Sequence, residues 1–342
     1  MIGAIRIRGD GVAARCCARL LEGSGLRLIL EPLDRPKVPA LMVSDATQNL
    51  LGDVFERRDL FDSLPRIRKR IVSWGEHART RAFPHSAVVV AEIDLLDRIR
   101  PPLASSSGEG CSEEDWTILT SRPLPSTSVE HQFGTRTAKA SRVKLKTGHD
   151  VHTCWVESLE RGWLFLLPGN GGEGWLLSVG DVASSLLGES RVVAAQISEV
   201  ASTAGSFLCH PRIAEVLCAP GWLACGTAAM SFDPLCGDGA GYASREAILG
   251  AAVVRAVAAG GDVDAIMAHY RTRLVAGFKR HLEVCLEFYQ TGGSGPWWNQ
   301  EVNSLRGGLE WCRQQLIGAG CFRYRLNGFA LESIDQATSH RT

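Results

Sequence analysis

Several features that mark other protein classes are missing from this 342-residue chain. Lys and Arg number 37 and so do Asp and Glu, so no excess of one charge draws nucleic acid or an anionic membrane over long range. The apolar run over residues 247–254 is far shorter than the ~18–20 residues that cross a bilayer. Arg6, Arg8 and Asp10 interrupt the start, where a signal peptide needs an apolar stretch. We therefore expect a cytoplasmic protein that binds neither nucleic acid nor membrane.

The cysteines are numerous but lack a metal-binding pattern. There are 11 of them, none forms a CxxC pair, and their spacings fit no common zinc site. His149, His152 and Cys154 are close in sequence, but in an alternating strand His149 faces away from the other two. The sequence therefore predicts reduced, mostly buried thiols and no metal site.

The chain has enough apolar residues for a large core. Its length suggests about two domains at roughly 100–200 residues each, and 45% of its residues are hydrophobic. The pattern predicts strands and helices at the start, a series of strands over residues 141–200, and mostly helices after residue 241. Apolar residues recur every three or four positions over residues 265–289, which predicts an amphipathic helix.

A glycine-rich turn near the N-terminus has the spacing of a dinucleotide-binding turn. A short apolar strand over residues 2–7 precedes Gly9, Gly11 and Ala14, and a helical segment and a second strand follow. In such a turn the glycines allow a tight bend and the approach of a pyrophosphate, and the small third residue allows close packing. Glu31 ends the second strand, where a carboxylate can accept hydrogen bonds from a ribose. The alternative is an ordinary tight turn and a solvated Glu31.

A second glycine cluster carries a more specific pattern. A short strand leads into glycine-rich residues and then into a long helix. The positions that make the pattern are Gly226, Ala228, Ala229, Asp233, Pro234, Gly237 and Gly239. Together with the first turn, this segment resembles the FAD-dependent monooxygenases of the hydroxybenzoate hydroxylase fold. The similarity is to the branch that contains the flavin-dependent halogenases and the tryptophan-halogenase-like oxidoreductases.

The resemblance implies an α/β (α+β) fold. It consists of a Rossmann-like FAD-binding domain with an inserted, mostly antiparallel substrate-side sheet and a helical C-terminal section. The FAD-binding domain would be discontinuous, over residues 1–140 and 215–262. The sheet would cover residues 141–214 and the helical section residues 263–342.

The resemblance also implies a cofactor and its contacts. Gly9, Gly11 and Ala14 would meet the pyrophosphate of FAD and Glu31 its adenosine ribose. The segment with Gly226 and Thr227 would also bind FAD, and the turn with Asp233, Pro234, Gly237 and Gly239 would meet the isoalloxazine ring. The implied activity is a monooxygenase that hydroxylates an aromatic or indole-like group, on a small molecule or a peptide, through a flavin hydroperoxide. Electrons would come from NAD(P)H or a flavin reductase.

The sequence also departs from this family's pattern. Thr227 stands where the family carries an Asp, Ala91 stands where an Arg is usual, and the segment between residues 99 and 119 is short. These departures keep two alternatives open. One is a halogenase-like or reductase-like flavoenzyme. The other is a non-catalytic binding or maturation factor on a degenerate FAD fold.

Candidates for the remaining site residues are less specific. Trp74, Trp163, Phe165, Trp297 and Trp298 are candidates for an apolar substrate pocket, although large aromatic residues more often pack in a core. His85 and His281 could titrate near neutral pH, and a structural role is the alternative for each. We interpret Lys69 as part of a solvated helix face over residues 66–70 rather than as a halogenase lysine. The sequence leaves the catalytic residues unknown.

Overall fold

A computed structural model describes residues 2–75, 79–100, 115–124, 128–236, 238–318 and 323–334. Within these ranges the chain forms three hydrogen-bonded sheets, a C-terminal hairpin and several helices. The helices are α1 (Val12–Leu21), α2 (Asp45–Phe55), α3 (Glu92–Arg98), α4 (Ala183–Glu189), α5 (Gly239–Ala258), α6 (Val263–Gly292) and α7 (Pro296–Leu316). None of the helices within these ranges is both long and apolar enough to cross a bilayer.

The first sheet has five strands: β1 (Ala4–Arg8), β2 (Arg27–Glu31), β6 (Trp116–Leu119), β14 (Cys218–Ala219) and β15 (Trp222–Ala224). Their order across the sheet is β14-β15-β6-β1-β2. All neighbours are parallel except β14 and β15. The parallel pair β1 and β2 is joined by α1, which is the βαβ unit predicted for the N-terminus. Because parallel strands end at the same edge, the turn after β1 and the turn after β15 lie close together.

The second sheet has eight strands: β3 (Leu41–Ser44), β4 (Arg66–Ser73), β5 (Arg81–Val90), β8 (Thr137–Leu145), β9 (Thr153–Leu159), β10 (Gly162–Pro168), β11 (Glu173–Gly180) and β12 (Ile197–Leu208). Their order across the sheet is β12-β8-β11-β10-β9-β4-β5-β3. Only β4 and β9 pair in parallel, so the prediction of a mostly antiparallel second sheet is confirmed.

The second sheet is larger than the segment expected for it. It takes β3, β4 and β5 from the range 1–140, and β8 begins at Thr137. Residues 66–70 therefore form part of a strand and not the helix face expected around Lys69. The sequence could not decide between the two, because Ile67 and Ile71 lie four residues apart, a spacing that fits one face of a helix and one face of a strand. Pairing with β5 and β9 selects the strand.

A small third sheet and two long helices complete the molecule. The third sheet contains β7 (Glu130–Gln132), β13 (Arg212–Ala214) and β16 (Met230–Ser231), in the order β16-β13-β7. Helix α6 contains the predicted amphipathic segment and buries its apolar face, and α7 packs along it. The chain then forms a hairpin of β17 (Tyr324–Asn327) and β18 (Ala330–Ser333), so the C-terminal section is not helical throughout.

Candidate functional site

The first glycine turn is a tight bend at the end of β1. Gly9 has a φ of 129°, and a Cβ at this position would lie 2.2 Å from Thr120 Oγ1, so both conformation and space require glycine. Gly11 is the N-cap of α1 and makes no side-chain capping bond. The first amide groups of α1 are therefore available to an anion. Ala14 is buried in the core, as expected for a residue that allows close packing.

The second glycine turn packs directly against the first. Gly226 follows β15 with a φ of 58°, and a Cβ there would lie 2.8 Å from the Cβ of Ala13 and 3.0 Å from the carbonyl oxygen of Thr120. The Thr227 hydroxyl donates to that same carbonyl at 3.4 Å. The two turns therefore form one wall in which only small residues fit.

A cavity of about 230 Å³ lies between these turns and the start of α5. It brings together four residues that the sequence predicts as cofactor contacts: Gly11, Gly226, Thr227 and Gly239. Its polar side chains belong to Arg35, Glu92, Thr120, Ser121, Thr227, Ser231 and Glu246. One space is therefore surrounded by glycines at two helix starts and by both positive and negative side chains. We call it the dinucleotide cavity, after the prediction that the sequence makes for its glycine turns.

Charged residues at the mouth of the dinucleotide cavity are paired with one another. Arg35 donates to both carboxylate oxygens of Glu92, and its Nε lies 3.4 Å from Asp10 Oδ1. Glu92 is buried and also accepts a hydrogen bond from the Val38 amide at 2.8 Å. Burial opposes the charge of Arg35, but its hydrogen bond and attraction to Glu92 hold its pKa above the usual value. Lys37 pairs with Asp10 nearby.

Arg35 lies close to the start of α1. A Cβ on Gly11 would be 2.8 Å from Arg35 Nη2, so the guanidinium covers the position where an anion would meet α1. The sequence analysis did not single out Arg35. Its position four residues after Glu31, just beyond the predicted second strand, is the only signal that the sequence offers.

Glu31 lies apart from the dinucleotide cavity. It pairs with Arg6 and, through Arg8 Nε at 3.1 Å, with a second arginine of β1. It lines neither of the two cavities described here. Its assignment to an adenosine ribose stays a prediction, and it requires Glu31 to exchange an arginine partner for the sugar.

A second cavity of about 270 Å³ adjoins the first. It lies between the eight-stranded sheet and the turn that contains Asp233 and Pro234, and its walls are mainly apolar and aromatic. The aromatic members are Phe165, Trp175, Phe207, Phe232 and Tyr242. Such a lining suits a flat apolar group. We call it the aromatic cavity. Gly237 lies outside the described residues.

The predicted pocket residues separate into two groups. Phe165 lines the aromatic cavity, whereas Trp74, Trp163 and Trp297 line neither cavity. Trp163 is fully buried and donates to the Tyr289 hydroxyl at 3.0 Å, and Trp74 donates to the Phe288 carbonyl at 2.8 Å. The structure places these tryptophans in the packing between the second sheet and α6 and α7.

The tryptophan packing continues through α7. Trp298 is buried, donates to the Leu159 carbonyl at 2.9 Å, and packs at right angles to Trp74 and Trp297. The alternative of core packing therefore describes these side chains. Sequence patterns could not separate the two roles, because a wall of a pocket and a core contact both call for an aromatic residue.

A buried ionic cluster holds the turn below the aromatic cavity. Arg136 Nε lies 2.9 Å from Asp233 Oδ2, its Nη1 pairs with Glu301, and its guanidinium lies 4.5 Å from the ring centre of Tyr289. The Tyr289 hydroxyl donates to Asp233 at 2.8 Å. Burial opposes the charge of Arg136, but Tyr289, Asp233 and Glu301 hold its pKa above the usual value. We call these four residues the Arg136 cluster.

His281 connects the same turn to α6. Its Nε2 accepts a hydrogen bond from the Asp233 amide at 2.9 Å, and its side chain is buried. This places one candidate acid or base in a structural role. The other, His85, is half-buried on β5 at 3.3 Å from Arg70, and burial, followed by the charge of Arg70, lowers its pKa. Neither histidine lines either cavity.

Glu246 is the other residue that the sequence analysis missed. It lies on α5, lines the dinucleotide cavity, and accepts a hydrogen bond from the Gly226 amide at 2.7 Å. Burial raises its pKa to about 8. The signal was present: Gly239 and Glu246 are seven residues apart, which places them on one face of a helix. In the parts of the chain that the structure covers, no group of three His, Cys, Asp or Glu side chains could hold a metal ion.

The comparisons with solved structures identify the fold. The flavin-dependent halogenase CmlS superposes with a TM-score of 0.75 at 18% identity, over 97% of this chain and 84% of CmlS. This chain has the fold of the flavin-dependent halogenases and hydroxylases. The fold that the sequence analysis expected is thereby confirmed. No family model matches the sequence, and neither does a curated protein.

Other solved structures with different substrates or ligands share this fold. The peptidyl tryptophan dihydroxylase QhpG has a TM-score of 0.65 at 16% identity, over 88% of this chain and 79% of QhpG. Klebsiella pneumoniae HpxO, in complex with FAD and uric acid, has a TM-score of 0.60 at 15% identity, over 93% of this chain and 97% of HpxO. These likenesses establish the architecture and leave the reaction to the residues of the site.

Proposed function

We propose that this protein binds FAD in the dinucleotide cavity and acts as an FAD-dependent monooxygenase on an aromatic group held in the aromatic cavity. The observation that carries the proposal is the junction of the two cavities. Phe232, Gly239 and Ala240 line both cavities, so a ligand in the dinucleotide cavity would contact a ligand in the aromatic cavity at the start of α5. The first cavity combines two glycine turns with charged side chains among apolar ones, whereas the second is lined mainly by apolar and aromatic side chains.

The residues of the dinucleotide cavity fit FAD. The uncapped start of α1 at Gly11 suits a diphosphate, and Arg35 provides a positive charge beside it. The family usually carries an Arg where this chain has Ala91, and Arg35 supplies a positive charge in its place. Gly9 and Gly226 let the two turns pack closely on Thr120 and Ala13, and a Cβ on Gly239 would meet nothing within 4 Å, so the start of α5 has open space beside it. When bound, FAD would supply the oxygen activation that no side chain can provide.

The protein's own contribution is placement and exclusion of water. The apolar walls of the aromatic cavity favour a flat ring and keep water away from it. The Arg136 cluster fixes Asp233, so the turn that faces both cavities keeps one position. The substrate is an aromatic or indole-like group of a small molecule or a peptide, and QhpG, which acts on a peptidyl tryptophan, supports the peptide as a class.

One observation separates hydroxylation from halogenation. No lysine lines either cavity within the described part of the chain. Lys69 instead lies on β4 and pairs with Asp150 at 3.2 Å. Halogenation therefore has no support from the residues of the site, although CmlS shares the fold.

The first test is FAD binding. Purified protein is incubated with FAD, passed through a gel-filtration column, and measured by visible absorption. Flavin absorption that elutes with the protein is the expected result. The matched control is Gly11→Asp, which places a carboxylate beside Arg35 and the start of α1, and we expect it to lose the flavin. A wild-type protein without flavin absorption would favour the alternative of a non-catalytic factor.

The second test is the reaction. The FAD-loaded protein is supplied with NAD(P)H, or with a flavin reductase and NADH, and with a panel of phenols, indoles and tryptophan-containing peptides. We expect a product that carries one additional oxygen atom, with bromide present or absent. A brominated product would contradict hydroxylation and favour the halogenase alternative.

A further inference from the structure

A carboxyl group is buried at the floor of the dinucleotide cavity without a complete set of hydrogen bonds. Glu246 is 5% exposed, and one of its oxygens, Oε2, accepts from the Gly226 amide at 2.7 Å. The other oxygen, Oε1, is buried and has no partner among the described residues. A buried polar atom without a partner lowers stability, so native proteins keep few of them. The position of Glu246 in the cavity wall indicates that a ligand completes its hydrogen bonds.

The structure also indicates which hydrogen bond this oxygen can make. Burial raises the pKa of Glu246 to about 8, so the carboxyl is mostly protonated at neutral pH. Since Oε2 accepts from Gly226, the proton belongs on Oε1, where it can be donated to an oxygen of a ligand. A protonated carboxyl also avoids repulsion with an anionic ligand, whereas a carboxylate at this place would repel a diphosphate.

Glu246 lies where the two glycine turns meet. Gly226, its partner, packs on Ala13 and Thr120, and Gly11 and Thr227 line the same cavity. The Thr227 hydroxyl is directed to the Thr120 carbonyl. Position 227 carries a threonine, so it supplies no carboxyl group to this part of the cavity. Glu246 of α5 supplies one instead.

We propose that Glu246 is a ligand of the bound dinucleotide and donates a hydrogen bond from its neutral carboxyl to an oxygen of the phosphate and sugar portion. This inference rests on the proposed function, because it names a contact of this chain with FAD. It makes FAD affinity depend on the protonation of one residue.

Other titratable groups surround Glu246, and they must be separated from it. Cys225 precedes Gly226, Tyr270 approaches from α6, Cys17 approaches from α1 with its Sγ 3.9 Å from that of Cys225, and Arg245 is the neighbour on α5. The pKa of Cys225 is raised well above its usual value by its hydrogen bond with Cys17 and by burial, and burial likewise raises that of Tyr270.

Arg35 and Glu92 line the same cavity as Glu246. A change of Glu246 to Gln removes one titration and leaves all of these other groups in place.

The test is the dissociation constant of FAD at several pH values between about 6.5 and 9.5, measured by quenching of flavin fluorescence at constant ionic strength. For the wild type we expect affinity to fall on the order of tenfold between pH 7 and pH 9, because only the protonated form is competent. For Glu246→Gln we expect the affinity of the wild type at pH 7 and no such fall. For Glu246→Ala we expect an affinity on the order of tenfold below that of the wild type at pH 7, and no fall with pH, because the cavity has lost the donor.

The outcomes separate this inference from the proposed function. A wild type that binds FAD with the same pH profile as Glu246→Gln overturns the role of Glu246 and leaves FAD binding intact. A wild type that binds no FAD at any pH overturns the proposed function and this role with it. Circular dichroism of each variant shows whether lost affinity comes from lost folding.

A second measurement, without cofactor, checks that Glu246 titrates as required. The pKa in the folded protein is about 8, and the pKa in the unfolded chain is ~4.5. Between these values the unfolded chain releases the proton first, so rising pH favours unfolding. We expect wild type and Glu246→Gln to melt at similar temperatures near pH 5, and the variant to melt higher at pH 8. Equal melting temperatures at pH 8 would contradict the titration.

Discussion

Two arginines, each placed between two carboxylates, have opposite roles in this protein. Arg35 pairs with Asp10 and Glu92 at the mouth of the dinucleotide cavity, and 26% of its side chain is exposed. Arg136 pairs with Asp233 and Glu301, and 0% of its side chain is exposed. Water and a ligand can compete for the partners of Arg35, whereas nothing can replace the partners of Arg136 without unfolding the region. Because Arg35 is partly exposed, a ligand can replace its carboxylate partners, whereas the fully buried ion pairs of Arg136 are structural.

The comparison extends to what each arginine holds. Arg136 keeps Asp233 in place, and Asp233 belongs to the turn between the two cavities. Arg35 covers the start of α1, where a diphosphate would lie. The buried cluster therefore provides a rigid base for the site, and the exposed pair provides a contact that can change partners when a ligand arrives.

The largest expected effect is from Arg136→Met. The change leaves Asp233 and Glu301 buried without a counter-ion, and breaking such a group typically costs about 3–5 kcal/mol. We expect a large drop in the free energy of unfolding, measured by urea denaturation. Arg136→Lys, which keeps a charge but loses the second contact, serves as the intermediate control. An unfolding free energy equal to that of the wild type would show that the cluster does not support the fold.

The second effect is on binding rather than stability. We expect Arg35→Ala to weaken FAD binding on the order of tenfold, equivalent to about 1.4 kcal/mol, because a charged contact to the diphosphate is lost. The unfolding free energy should fall by less than in Arg136→Met, because 26% of the Arg35 side chain is exposed and the Val38 amide still donates to Glu92. Titration with FAD and urea denaturation measure the two quantities. A loss of stability without a loss of affinity would place Arg35 with Arg136 instead.

Glu92→Gln should act in the opposite direction. Glu92 holds Arg35 and is itself a negative charge in the dinucleotide cavity. Removing its charge frees the guanidinium for a diphosphate and removes a repulsion, so we expect FAD to bind a few-fold more tightly. The same titration measures this, and salt should reduce the difference. Weaker binding in this variant would mean that Glu92 orients Arg35 rather than competing with the ligand.

The smallest effect is expected at an exposed ion pair on the second sheet. Lys69 and Asp150 each have 45% of their side chains exposed, and such pairs contribute about 0–1 kcal/mol. We expect Lys69→Ala to leave FAD affinity and product formation unchanged, and to alter the unfolding free energy by less than about 0.5 kcal/mol. A strong loss of turnover would give Lys69 a role in the reaction and restore the halogenase alternative.

The sequence by itself determined the elements with local signals. The βαβ unit at the start follows from an apolar strand and from Gly9 and Gly11, because only glycine fits where Thr120 lies 2.2 Å from a Cβ. The amphipathic helix over residues 265–289 follows from its apolar period. The second glycine cluster predicted the turn after β15 that lines the dinucleotide cavity, because the sequence shows both its small residues and the start of the helix that follows.

Only the tertiary structure decided which side chains meet. The period of Ile67 and Ile71 fits a helix or a strand, and pairing with β5 and β9 selects the strand. Trp163 and Phe165 are two residues apart on one strand, and yet only Phe165 lines a cavity. Arg136 and Glu301 are distant in sequence, as are Gly226 and Glu246, and each pair is meaningful only as a contact. Charge, burial and hydrogen bonding depend on neighbours in space, and the fold alone determines those neighbours.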